Sequence, residues 1–151
     1  MNNDLHFSSK RQDWETPQDL FDRLNEKYQF TLDLAASKDN TKCESYFTEE
    51  TNSLDKHWFL LKGWLWLNPP YGREVKDWVN KCNLEAELGA KIIALLPARV
   101  DTLWYHNYIY RKYYHTFLKG RLKFEINGEK TDPAPFPSMI VKFERNILLD
   151  I

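Results

Sequence analysis

GWLWLNPPYG (residues 63–72) is the stretch on which the fold turns. Its first half is apolar at consecutive positions, which a strand tolerates only when both of its faces are covered, as in a parallel sheet packed between helices. Its second half cannot continue a strand. Proline has no N–H to give a ladder and fixes its own φ, and each proline holds the residue before it extended, so Pro69 and Pro70 make a rigid exit that Gly72 then lets turn away. A buried strand that stops in a stiff polar turn is the way α/β sheets present a ligand site at the carboxyl ends of their strands.

The flanking segments carry the same alternation. TPQDLFDRLNEKY (16–28) predicts an amphipathic helix with Thr16 as N-cap, Pro17 at the first helical position, and Leu20, Phe21, Leu24 and Tyr28 on one face. FTLDLAAS (30–37) reads as a short buried strand and KIIALLP (91–97) as a third, ended by Pro97. Between them, residues 74–88 set Val75, Trp78, Val79, Cys82 and Ala86 on one helical face. A helix is expected over 102–112, and strands over 114–118, 121–126 and 138–144, the last two joined by the turn-rich NGEKTDPAPFPS as an antiparallel hairpin at the sheet edge. The expected architecture is a doubly wound α/β fold, with Asp33, Asn68 and Pro97 at strand carboxyl ends.

Composition narrows the function. The 151 residues fit one domain spanning 1–151, and no stretch approaches the roughly 20 apolar residues of a membrane span. The start, MNNDLHFSSK, lacks the apolar core of a secretory signal, so a cytoplasmic protein is expected. Cys43 and Cys82 have no second Cys or His at ligand spacing and read as free structural thiols. His6, His57, His106 and His115 show no ligand spacing either, so no metal is expected. The net charge of −1 is unevenly spread: residues 1–60 carry 7 Lys/Arg against 12 Asp/Glu, residues 61–151 carry 14 against 10. Residues 102–124 hold no acid, five bases (Arg111, Lys112, Lys119, Arg121, Lys123) and eight aromatics, a mixture suited to phosphates and bases, or to a core with solvated cations around it.

The turn itself suits a planar amine. The Asn68 side-chain oxygen and the Pro69 carbonyl are two acceptors held in fixed directions, and Tyr71 beside them offers a flat face. LNPPYG after an apolar strand resembles the (D/N/S)PP(Y/F/W) motif of S-adenosylmethionine-dependent methyltransferases acting on amino and amide nitrogens. With DWETPQDLF (13–21), LDLAAS (32–37), YFTEETNSLDKHW (46–58), LLPARVDTLWYH (95–106), GRLKF and PAPFPS (120–138), the chain resembles the small phage and prophage DNA N6-adenine methyltransferases, the Dam-like family, over nearly its whole length.

The resemblance implies a Rossmann-like methyltransferase fold with a mixed sheet, a C-terminal antiparallel hairpin and helices on both faces, and no separate target-recognition domain. It implies S-adenosylmethionine as cofactor and double-stranded DNA as partner of a monomer or a homodimer. Asn68 and the Pro69 carbonyl would accept from the adenine amino group, with Pro70 stiffening the turn and Tyr71 stacking on the extruded base. Thr16 and Pro17, with Trp14 just before them, would touch the methionine part of the cofactor. Asp33 would pair with its α-ammonium, Ala35 would stand where many methyltransferases have glycine, and Asn52 and Ser53 would lie along its adenosine, Asn68 also reaching the cofactor side. Arg99, Asp101, Arg111, Lys112 and Arg121 are the candidates for DNA contact. RNA, a protein glutamine, or a catalytically silent nucleic-acid-binding module of the same fold are the alternatives.

Overall fold

The computed structural model describes residues 14–145; His6 and Asp13 lie outside them. A five-stranded mixed sheet runs through the molecule, built from β1 (Leu32–Asp33), β2 (Trp64–Leu67), β3 (Lys91–Pro97), β4 (Tyr114–Phe117) and β7 (Ser138–Phe143), in the order β1-β2-β3-β7-β4. β1 pairs parallel to β2 and β2 to β3, while β7 is antiparallel to both β3 and β4. β1 to β4 therefore share one direction, and β7 is a reversed strand inserted among them. The carboxyl ends of four strands and the start of β7 meet at one rim.

Helices cover both faces. α1 (Gln18–Tyr28) lies on one, where Leu20 and Phe21 pack with Trp66, Ile93, Leu95 and Ile140. α2 (Val75–Glu87) and α3 (Leu103–Tyr108) lie on the other, where Val79, Cys82, Trp104 and Ile109 pack with Leu65, Leu67, Ile92, Leu96, Val141 and Phe143. The strand side chains alternate between these two clusters with the period of two that a pleated strand imposes. That is why WLWL is apolar at every position: each successive residue enters a different core. Cys43 and Cys82 are free thiols, Cys82 within the second core.

Three expectations need correction. The C-terminal hairpin does not join 121–126 to 138–144. Instead β5 (Glu125–Ile126) folds onto β6 (Glu129–Lys130) in a separate two-stranded sheet, and β7 goes into the middle of the large one. The physical signals were an Asn-Gly pair at 127–128, where both residues take positive φ (54° and 81°) as a two-residue hairpin turn demands, and the apolar run in SMIVKF, which belongs to a strand covered on both faces. The helix expected over 102–112 ends at Tyr108, since Ile109 and Tyr113 are both buried and Arg111 takes φ 61° to bring the chain round between them. Thr16 does not cap α1: Pro17 occupies the cap position without a side-chain bond, and the Gln18 N–H donates to the Glu125 carboxylate at 3.1 Å. The Thr16 hydroxyl is used elsewhere.

Candidate active site

Asn68 follows directly on the last residue of β2 and points, by the alternation of the strand, to the α1 side. Its Nδ2 donates to the Trp14 carbonyl at 2.9 Å and to Thr16 Oγ1 at 3.1 Å. A carbonyl can only accept, so this settles which end of the amide is which. The other end, Oδ1, is buried and has no hydrogen-bond partner. Burying an acceptor unsatisfied costs about 1–3 kcal/mol, and such an atom in a native structure calls for a reason. Among the described residues no donor reaches the Pro69 carbonyl either. The turn thus carries two acceptors without a donor among the described residues, the Asn68 amide oxygen and the Pro69 carbonyl, stiffened by two proline rings.

Tyr71 anchors this turn from below. Its hydroxyl donates to the Leu95 carbonyl at 3.1 Å, and its ring meets Phe124 and Phe136 edge-on at 5.9 and 5.7 Å. The ring is only 7% exposed, and burial drives its pKa far above the ordinary phenol value. It is a packed side chain rather than a free stacking platform, because β3 supplies a carbonyl for its hydroxyl at the right depth. Phe136, from the segment entering β7, is half-buried and carries the Arg99 guanidinium over its ring at 5.7 Å. Sequence reasoning missed Phe136 as a site residue. The signal was its place in PAPFPS, one of the segments that carried the family resemblance.

Asp33 ends β1 on the same face. Its carboxylate is 3% exposed and accepts from the backbone N–H of Ala35 at 3.2 Å and of Lys42 at 3.0 Å. Burial is the dominant influence and pushes its pKa up to about 6, the two N–H groups and the Lys42 charge pulling the other way. Among the described residues no cation lies within 4 Å of it. A buried carboxylate with no ion-pair partner among the described residues fits an ammonium group. Neither Ala35 nor Ala36 takes a positive φ, so the loop after β1 needs no glycine to make its turn.

Trp14, Thr16, Pro17, Asp33, Asn68 and Tyr71 are therefore brought together on the α1 side of the rim. Asn52 and Ser53 open a 3-10 turn (Ser53–Asp55) whose Leu54 packs into the α2 side, with Asn52 Nδ2 donating to Asp55 at 2.6 Å and the Ser53 carbonyl accepting from Trp58 Nε1 at 3.0 Å. Ser53 Oγ and Ser138 Oγ are also buried without partners, Ser138 standing opposite Pro97 at the start of β7.

The DNA-contact candidates divide by rim. Arg99 and Asp101 are exposed on the turn after β3, and Arg121, exposed after β4, donates to the Ala134 carbonyl at 3.3 Å. These three share the rim of Asn68. Arg111 and Lys112 precede β4 and so lie at the opposite end of the sheet. Lys112 is occupied there, donating to Asn83 Oδ1 at 2.8 Å and pairing with Glu87 at 3.3 Å. The structure thus takes Arg111 and Lys112 out of the cluster, and the acid-free segment 102–124 is not one surface but spans both ends of the sheet. Among the described residues no group of three His, Cys, Asp or Glu could hold a metal ion, and no helix is long and apolar enough to cross a membrane.

Two phage proteins named DNA N-6-adenine-methyltransferase are similar to this chain. That of Escherichia phage T1 is 39% identical over 93 residues, 61% of this chain and 38% of that protein. That of Haemophilus phage HP1 is 28% identical over 137 residues, 87% of this chain and 78% of that protein. The chain thus spans well under half the length of the phage T1 relative. The family described as DNA N-6-adenine-methyltransferase (Dam) matches residues 5–146, nearly the whole sequence, and the chain belongs to that family.

Proposed function

We propose that the protein transfers a methyl group from S-adenosylmethionine to the exocyclic N6 of adenine in DNA. The observation that carries this reading is the Asn68 amide, fixed by its NH₂ end and left with a buried, unpartnered Oδ1 in the turn that also carries the Pro69 carbonyl. An adenine amino group has two N–H donors, one for each acceptor. Accepting both draws the nitrogen lone pair out of conjugation with the ring, where it becomes nucleophilic. When bound, S-adenosylmethionine would supply an electrophilic methyl on a sulfonium. With the amino group held by Asn68 and the Pro69 carbonyl, its nitrogen would take that methyl, the sulfur would leave with the bonding pair as a neutral thioether, and one N–H proton would pass to water. Asn68 acts as acceptor and not as base, since an amide takes no proton at neutral pH.

In a duplex the amino group is paired, so the base must leave the stack at a cost of a few kcal/mol. Asp33, a buried carboxylate with no ion-pair partner among the described residues, would hold the cofactor ammonium, and the Trp14–Pro17 segment would lie along its methionine part. The reading is supported by the family and by a sheet whose order is compatible with a Rossmann-like methyltransferase fold. In one methyltransferase domain the target would be read by the loops of this rim, with Arg99 and Arg121 on phosphates.

The test is transfer of labelled methyl groups to unmethylated duplex DNA, to RNA and to protein in parallel, with nucleosides separated after digestion and Asn68→Ala as control. Label in N6-methyl-2′-deoxyadenosine from DNA, lost in Asn68→Ala, supports the reading. Label in RNA or in protein glutamine moves the substrate, and no label anywhere leaves a binding module.

A further inference from the structure

We infer that Thr16 is a positioning residue for Asn68: with the Trp14 carbonyl it holds the amide so that its oxygen, and not its NH₂, stays open to a donor. This rests on the proposed function of Asn68. An unrestrained asparagine amide rotates by half a turn at little cost, and the flipped form would turn two donors toward an amino group that itself only donates. The Trp14 carbonyl at 2.9 Å holds one N–H, and the Thr16 oxygen at 3.1 Å holds the second. With both in place the orientation is fixed; with one, the amide can pivot about it. Thr16 is 2% exposed, so water does not readily replace its hydroxyl.

The segment that carries Thr16 is itself tied down on both sides. Glu15 and Glu125 exchange two backbone hydrogen bonds of 3.0 Å, the Glu15 carboxylate accepts from the N–H groups of Asn127 and Gly128 at 3.2 and 3.1 Å, and the Glu125 carboxylate accepts from the Gln18 N–H at 3.1 Å. The β5–β6 hairpin and the start of α1 therefore clamp residues 15–18 into register with the turn at 68. This gives the small hairpin a purpose that its two-residue strands would not otherwise have, since such a hairpin is marginal alone. It also makes one short segment serve two partners, the cofactor side expected of it and the reacting amide.

Thr16→Val keeps the side-chain shape and removes the acceptor. The expected result is a kcat at saturating S-adenosylmethionine at least tenfold lower, a larger loss than any change in the KM for the cofactor, with a melting temperature lowered by the orphaned Asn68 N–H, and Thr16→Ser restoring most of the rate and of the stability. A second readout needs no turnover: in ¹⁵N-labelled protein the Asn68 side-chain NH₂ pair, assigned with Asn68→Ala, should exchange slowly in wild type and Thr16→Ser and fast in Thr16→Val. A kcat unchanged in Thr16→Val overturns the inference, as does a rate lost only in proportion to weaker cofactor binding, or fast exchange of the Asn68 amide in wild type. If wild type methylates no adenine, the proposed function fails while the exchange measurement still decides the clamp.

Discussion

Asp33→Asn separates what the buried carboxylate costs the fold from what it contributes to ligand binding. Burial raises its pKa from 3.8 to about 6 against the pull of two backbone N–H groups. Because the folded value lies above the unfolded one, the native state holds the proton more tightly, so the contribution of this group is favourable below about pH 4 and is lost as pH rises through about 6. Roughly two pKa units correspond to a cost of about 3 kcal/mol at pH 8 for a side chain that is 3% exposed. Asparagine removes the charge and keeps the acceptor for Ala35, but turns NH₂ toward the Lys42 N–H that now donates at 3.0 Å, which returns about 1–2 kcal/mol of that gain. The variant should then be more stable than wild type by about 1–2 kcal/mol at pH 8, a rise of roughly 2–8 °C in melting temperature. Near pH 4.5, where the wild-type group is already neutral, the difference should vanish or reverse. Melting curves across this range, with and without S-adenosylmethionine, read both effects: wild type should gain a ligand shift that falls away below about pH 6, and Asp33→Asn should gain none at any pH. A variant less stable than wild type by the same amount at every pH, and shifted equally by the cofactor, would refute both the strain and the ammonium contact.

Three further outcomes are expected. Tyr71→Phe removes the donor to the Leu95 carbonyl inside the core and should lower stability by about 1–3 kcal/mol in urea unfolding; a change within error would mean that the turn is not anchored by this bond. Gly63→Ala places a Cβ 2.7 Å from Thr31 Cγ2 at a backbone φ of +77°, and should cost at least about 2 kcal/mol by the same measurement, with m unchanged. Arg99→Ala should flatten the dependence of log affinity for duplex DNA on log salt by about one charge, whereas Lys112→Ala should leave that slope alone and lower the melting temperature; the reverse pattern would place the DNA at the other rim.

What was legible in the sequence followed from periodicity and stiffness. Leu20, Phe21, Leu24 and Tyr28 marked α1, WLWL and KIIALLP marked buried parallel strands, and the two prolines after Asn68 marked the turn, because each of these signals is local and strong. The pairing of distant strands was not legible. SMIVKF reads as buried, but nothing in its neighbourhood says that it enters between β3 and β4 rather than closing on the preceding segment. The same limit governed the site. Asp33, Asn68 and Thr16 were visible as candidates, yet the hydrogen bond from Asn68 to Thr16 spans 52 residues of sequence and depends on the β5–β6 hairpin holding the segment in place. Arg111 and Lys112 were grouped with Arg121 by composition alone. Composition does not record that a four-residue strand, β4, lies between them and carries them to opposite ends of the sheet.

The reversed strand is also what completes the rim. A sheet made only of parallel strands brings to its carboxyl end the loops that leave those strands, here the segments after Asp33, Leu67, Pro97 and Phe117. β7 runs the other way, so what it brings to the same rim is the segment that enters it. The Pro137 carbonyl accepts from the Ala98 N–H at 2.8 Å and the Ser138 carbonyl from the Leu118 N–H at 2.9 Å, which ties that entering segment to the exits of β3 and β4 together. Phe136 is thereby set between Tyr71 and Arg99, linking the turn that holds the acceptors to the turn that holds a cation. Inserting β7 in the opposite sense is an economical way for a five-stranded sheet to gain a fifth segment at that rim. It follows that shortening 131–137 should disturb Arg99 and Tyr71 directly, since the Tyr71 ring and the Arg99 guanidinium both meet Phe136.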